Sequence, residues 1–215
     1  MSLPVSGVIL DLDGLLLDTE RLAIEAGPVV LRRFGHEIDP QFFHRTTGVD
    51  QYETHRMVNQ AVGDDIAFDT FNDAWNDVMY ALMTKALPFR PGVEAFFDAL
   101  DRWRLPRAIA TNSVTSRAEW KLQRVGLLDR VDAVVALDQV EKGKPAPDLF
   151  IEAARRIHLE PSECAALDDS DTGVRAAVTA GIKLVIQVPD MMPSRELLAH
   201  HQAESLDAAR AILGI

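Results

Sequence analysis

Apolar positions along the chain follow two different periods. Val8-Ile9-Leu10 is a short unbroken apolar run, the pattern of a strand buried on both faces. From about Glu20 to about Leu87 the spacing changes to threes and fours, as in Leu22, Val29, Val30 and Phe34, then Phe42 and Phe43, then Phe68, Phe71, Trp75 and Met79. That spacing predicts a bundle of helices with no strand among them. Gly27-Pro28 inside the first helix predicts a kink or break, because proline lacks the backbone donor and crowds the preceding turn. Gly48 and Gly63 mark loops.

From Leu87-Pro88-Phe89-Arg90-Pro91-Gly92 onward, short apolar strands alternate with amphipathic helices. Helices are expected at Val93–Trp103, Thr115–Val125, Asp148–Ile157, Thr172–Ala180 and Ser205–Leu213, and strands at Arg107–Ala110, Ala133–Leu137, Cys164–Leu167 and Lys183–Val188. Such alternation predicts a parallel sheet wrapped on both faces, to which the first strand also belongs. The fold class is therefore α/β, a Rossmann-like parallel sheet core with an inserted α-helical cap domain. The core is expected over residues 1–18 and 88–215 and the cap over 19–87. An insertion just past the first strand reads as a lid over the carboxyl ends of the strands, where open parallel sheets bind ligands.

Composition narrows the picture. A chain of 215 residues with 47% hydrophobic and 26% charged positions has room for one sizeable core plus a small insertion. The formal net charge of −11 leaves no electrostatic footprint for nucleic acid or an anionic membrane. No apolar run approaches the roughly 18 residues needed to span a bilayer. Met1-Ser2-Leu3-Pro4 lacks the regions of a signal peptide, so a cytoplasmic protein is expected. Cys164 is the single cysteine; it precedes an apolar run and reads as a small buried hydrophobe. His200-His201 reads as exposed.

Four polar clusters fall at or near the carboxyl ends of predicted strands: Asp11 with Asp13, Thr111-Asn112-Ser113, Lys144, and Asp168-Asp169-Ser170-Asp171. In a parallel sheet these ends share one edge and converge on one crevice. The set suits phosphoryl transfer. Carboxylates from the first and last clusters can hold Mg²⁺, and a remaining acid can attack phosphorus. A hydroxyl with the free amides at a helix start can bind phosphoryl oxygens, and a lysine supplies positive charge. Taken singly, each cluster also has a plain structural reading: a turn pair, a helix cap, or, for Lys144, a solvated surface residue. Their coincidence on successive strand ends favours the chemistry. No GxGxxG, P-loop, GxSxG or zinc-spaced histidine set occurs.

Asp11-Leu12-Asp13-Gly14 with Asp18-Thr19-Glu20, Thr111-Asn112-Ser113, Gly143-Lys144-Pro145-Ala146-Pro147-Asp148 and Asp168-Asp169-Ser170 together resemble the four ordered motifs of the haloacid dehalogenase superfamily. The match is closest to its phosphatase and β-phosphoglucomutase-like branch with a helical cap. The resemblance implies a Mg²⁺-dependent phosphatase acting on a small phosphorylated metabolite, a sugar phosphate or a phosphoglycolate-like compound. It implies Asp11 as the nucleophile that becomes an aspartyl-phosphate and Asp13 as the acid/base. Thr111, Asn112 and Lys144 would bind phosphate. The metal would be held by Asp11, Asp13 through its carbonyl, Asp169 and Asp168, the last directly or through water.

Thr19, Ser113 and Pro88–Pro91 are substrate or hinge candidates. Gln51, Tyr52 and the Thr46-Thr47-Gly48 loop are selectivity candidates. The partners expected are the small substrate alone, with no nucleic acid, no membrane and a monomeric chain. A sugar phosphomutase is the alternative, but the positions where some mutases carry cations for a second phosphate correspond here to Ala23, Gln51 and Val114. A phospho-acceptor signalling module also combines acids, Mg²⁺, a hydroxyl and a lysine. It is disfavoured by the length of the chain and by the insertion directly after the first acid.

Overall fold

The computed structural model describes residues 4–47, 51–191 and 193–215. The expected loop at Gly48, and with it part of the Thr46–Gly48 selectivity candidate, lies outside the described residues. In chain order the elements are β1 (Gly7–Leu10), α1 (Thr19–Arg33), α2 (Gln51–Val62), α3 (Phe68–Lys85), α4 (Val93–Trp103), β2 (Arg107–Ala110) and α5 (Thr115–Arg124). There follow β3 (Ala133–Val135), α6 (Asp148–Arg156), β4 (Cys164–Asp168), α7 (Asp171–Thr179), β5 (Leu184–Gln187), β6 (His201–Gln202) and α8 (Leu206–Leu213), with short 3₁₀ turns between some of them.

Two compact units result. One comprises Met1–Leu17 with Phe89–Ile215, the other Asp18–Pro88. The first is an α/β unit around a six-stranded parallel sheet in the order β3-β2-β1-β4-β5-β6. Successive residues of a strand face opposite sides. Ile9, Ala108, Ala110, Cys164 and Ala166 pack with Leu149, Phe150, Ala153, Val174 and Ala177 of α6 and α7. Their neighbours Val8, Leu10, Ile109, Ala165 and Leu167 are equally buried, so both faces of the sheet are covered. Cys164 sits in this core, where burial pushes its thiol up to about 11.

The second unit is helical, with its own core of Ala26, Val30, Leu31, Phe42, Phe43, Val58, Phe71 and Val78. The break expected at Gly27-Pro28 does not occur: α1 runs through Pro28 as one continuous helix. The absence of a side chain at Gly27 lets the Phe43 ring lie directly on the helix backbone, where a Cβ would collide with it. Proline inside a helix costs about 3 kcal/mol; burial of Leu22, Ala26, Val30 and Leu31 offsets it.

Two smaller differences concern the sheet. β3 stops at Val135 instead of continuing to Leu137, because the Leu137 N–H leaves the ladder and donates to the Ser113 carbonyl at 3.0 Å. His201, read with His200 only as exposed, forms with Gln202 the parallel edge strand β6 beside Ile186 and Gln187. A two-residue polar strand has no apolar period to reveal it. Among the described residues no helix is long and apolar enough to cross a membrane.

Candidate active site

The centre of the sheet decides where the polar clusters go. β1 lies between β2 and β4, and Leu10 is in register with Ile109 on one side and Leu167 on the other. Asp11 and Thr111, which follow β1 and β2, and Asp168, the last residue of β4, are therefore neighbours at one sheet edge. Asp11 is itself tied there by its N–H, which donates to the Leu167 carbonyl at 3.0 Å.

Lys144 arrives from the loop before α6 and is not a solvated residue. Its side chain is 4% exposed, and Nζ donates to Asp11 Oδ1 at 2.5 Å and to Asp168 Oδ2 at 2.7 Å. Asn112 holds the backbone of Lys144 from both sides: Oδ1 accepts from the Lys144 N–H at 2.9 Å and Nδ2 donates to the Lys144 carbonyl at 3.3 Å. Its side chain is thus engaged with the main chain of the lysine. Thr111 is buried, and its Oγ1 accepts from the Ser113 N–H at 3.1 Å.

At the end of β4, Asp168 Oδ1 accepts from the Ser170 N–H at 3.0 Å and from Ser170 Oγ at 2.7 Å. The same Ser170 oxygen accepts from Gly173 N at 3.0 Å and caps α7. Carboxylate oxygens of Asp11, Asp168 and Asp169 lie within 4.8 Å of one another. Two glycines leave room for this cluster. A Cβ on Gly173 would run into Asp168, and one on Gly14, whose φ is +87°, would run into Asp169.

Electrostatics in this group are strained by dryness. Burial pushes the Asp11 carboxyl up to about 7; Lys144 works against that shift, and the like charges of Asp168 and Asp13 add to it. Burial alone would pull the Lys144 ammonium down, but Asp11 and Asp168 more than reverse it, so Lys144 is held protonated. With Asp11 ionised, two buried carboxylates and one ammonium leave negative charge in excess. Clustered hard oxygen donors with such an excess suit a divalent cation such as Mg²⁺.

The sequence matches the haloacid dehalogenase-like hydrolase family over residues 8–187. The chain belongs to that family. It is 28% identical over 211 residues to a phosphorylated carbohydrates phosphatase of Thermotoga maritima, covering 98% of each chain. It is 31% identical over 182 residues to the fructose-1-phosphate phosphatase YqaB of Escherichia coli, covering 84% of this chain and 95% of that one. Among solved structures, a haloacid dehalogenase family hydrolase from Deinococcus radiodurans with bound phosphate and sodium superposes with a TM-score of 0.82 at 26% identity, covering 98% of this chain and 96% of that one. The enzyme class that follows is phosphoric monoester hydrolase.

Within this haloacid dehalogenase-like unit the structure brings together Asp11, Asp13, Thr111, Asn112, Ser113, Lys144, Asp168 and Asp169. Thr19 and Gln51 belong to the helical unit, Thr19 as the buried first residue of α1 and Gln51 as the exposed first residue of α2. One residue of the site escaped the sequence reading. Lys121 of α5 donates through Nζ to Asp13 Oδ1 at 2.6 Å and Oδ2 at 2.7 Å, and to Ser113 Oγ at 3.2 Å. The signal existed: Lys121 shares the buried face of α5 with Ala118 and Leu122, a lone charge on an apolar stripe at helical spacing.

Proposed function

We propose that the protein is a Mg²⁺-dependent phosphatase that hydrolyses a small phosphorylated carbohydrate or a similarly small phosphate monoester through an aspartyl-phosphate on Asp11. The observation that carries the reading is the Lys144 ammonium bridging Asp11 and Asp168 at the sheet edge, with Asp169 close by. Its sequence likeness to sugar-phosphate phosphatases supports the substrate class.

Asp11, Asp168, Asp169 and the backbone carbonyl of Asp13 would hold the ion. When bound, it neutralises charge on the carboxylates and the phosphoryl oxygens. An Asp11 oxygen attacks phosphorus, the P–O bond to the leaving group breaks, and Asp13 gives its proton to the leaving oxygen. Asp13, now a carboxylate, takes a proton from water as that water attacks the aspartyl-phosphate, releasing phosphate and restoring Asp11. Lys144, Thr111 and the main-chain N–H of Asn112 hold the transferring group. Uncatalysed monoester hydrolysis is among the slowest of biological reactions, with accelerations reaching about 10²¹, so positioning and charge neutralisation carry most of the barrier reduction.

The test is phosphate release across a panel of phosphorylated metabolites with Mg²⁺, for the wild type and Asp11→Asn. Asp11→Asn is expected to keep the far-UV circular dichroism of the wild type and lose activity by about 10⁴-fold or more, as befits a lost nucleophile. Near-normal turnover by that variant would remove the covalent mechanism.

A further inference from the structure

Lys121 comes from the middle of α5 and its side chain is 5% exposed, yet among the described residues its hydrogen-bond partners are Asp13 and Ser113. Taking an ammonium out of water to meet one carboxylate is a weak stabilising device, and a methionine in the same place would fill the space without that penalty. Stability alone does not call for a lysine here. What the lysine does do is geometric. Its ammonium touches both oxygens of Asp13, Ser113 Oγ donates to Oδ2 at 3.0 Å, and the Asp13 side chain remains 31% exposed. The carboxyl is gripped from the protein side while part of it stays open.

We infer that Lys121, assisted by Ser113, is a positioning residue that fixes the carboxyl of Asp13 for proton transfer to and from the reacting oxygens. The inference rests on the acid/base reading of Asp13 given above. Two rotatable bonds separate that carboxyl from the backbone. Without Lys121, rotation toward water misplaces it, and general acid catalysis, worth about 10² to 10⁴ in rate, depends on such placement.

The experiment compares kcat/KM for phenyl phosphate and p-nitrophenyl phosphate, with Mg²⁺, for the wild type, Asp13→Asn, Lys121→Met, Lys121→Arg and Ser113→Ala. These esters have similar shapes, but phenolate is the poorer leaving group and needs the proton more. kcat/KM reports the step in which the leaving group departs. Lys121→Met is expected to lose about tenfold to a hundredfold on phenyl phosphate and less than about threefold on p-nitrophenyl phosphate, with Lys121→Arg recovering part of the loss and Ser113→Ala showing the same bias more weakly. A role confined to folding lowers both substrates equally.

Equal losses, or none, in Lys121→Met overturn the inference when Asp13→Asn shows the bias. An Asp13→Asn enzyme without the bias overturns the acid assignment and the inference with it. Should Lys121→Met fail to fold, Ser113→Ala decides on the same criterion.

Discussion

At the scale of single residues, the arithmetic of charge dominates. Lys144 is the ammonium that bridges Asp11 and Asp168. Lys144→Met strands both buried carboxylates, so a loss of about 3–5 kcal/mol in urea unfolding at pH 8 is expected, shrinking at lower pH as Asp11 takes up its proton. Asp11 itself yields a pH dependence with a definite sign. In the metal-free fold its carboxyl holds a proton up to about 7, whereas an unfolded aspartate releases it near about 3.9. Between those values the folded state binds more protons, so this group's destabilising contribution grows as pH rises and is complete above about 7. Mg²⁺ binding needs the ionised form. At pH 5.5 the ion must displace a proton, which weakens its apparent affinity. The rise in Tm produced by Mg²⁺ is therefore expected to be larger at pH 8 than at pH 5.5, with proton release on binding detectable by calorimetry in two buffers. An equal rise at both values would contradict the assignment of Asp11 as a ligand.

At the scale of elements, the ends of strands and the starts of helices do the placing. β4 ends on Asp168, and the turn into α7 uses Ser170 twice, as donor to Asp168 and as cap for the helix. The cap reading and the site reading of this cluster thus describe the same atoms. Gly173→Ala puts a methyl group where the Asp168 carboxylate lies. Because Asp168 is one of the proposed ligands, the expected result is Mg²⁺ affinity reduced by at least about tenfold to a hundredfold, the loss that displacing even an outer partner of a metal ligand causes, with α7 helicity unchanged, measured by titration calorimetry and circular dichroism. The strand-end clusters were legible because each follows, or lies near, an apolar run. Lys121 was not read as part of the site, because helical periodicity says which face a residue occupies but not which carboxylate 108 positions away that face meets.

At the scale of the whole molecule, the chain forms two units with separate cores. Phe43 is 1% exposed and packs on Gly27 in the helical unit. Phe43→Ala is expected to cost that unit about 3–5 kcal/mol, with loss of hydrogen-exchange protection concentrated in α1 and α3 and the sheet amides retained; uniform loss across both units would show that they unfold as one. Pattern and residue type were enough to determine the α/β class, the helical stretch after the first acids and most of the polar groups at strand ends, since hydrophobic periods and turn residues are local properties. The tertiary structure alone decided the strand order that sets Asp11 between Thr111 and Asp168, the unbroken passage of α1 through Pro28, and the grip of Lys121 on Asp13. Each of these depends on contacts between residues far apart in the chain, and their energies, unlike periodicity, exist only once the core has closed.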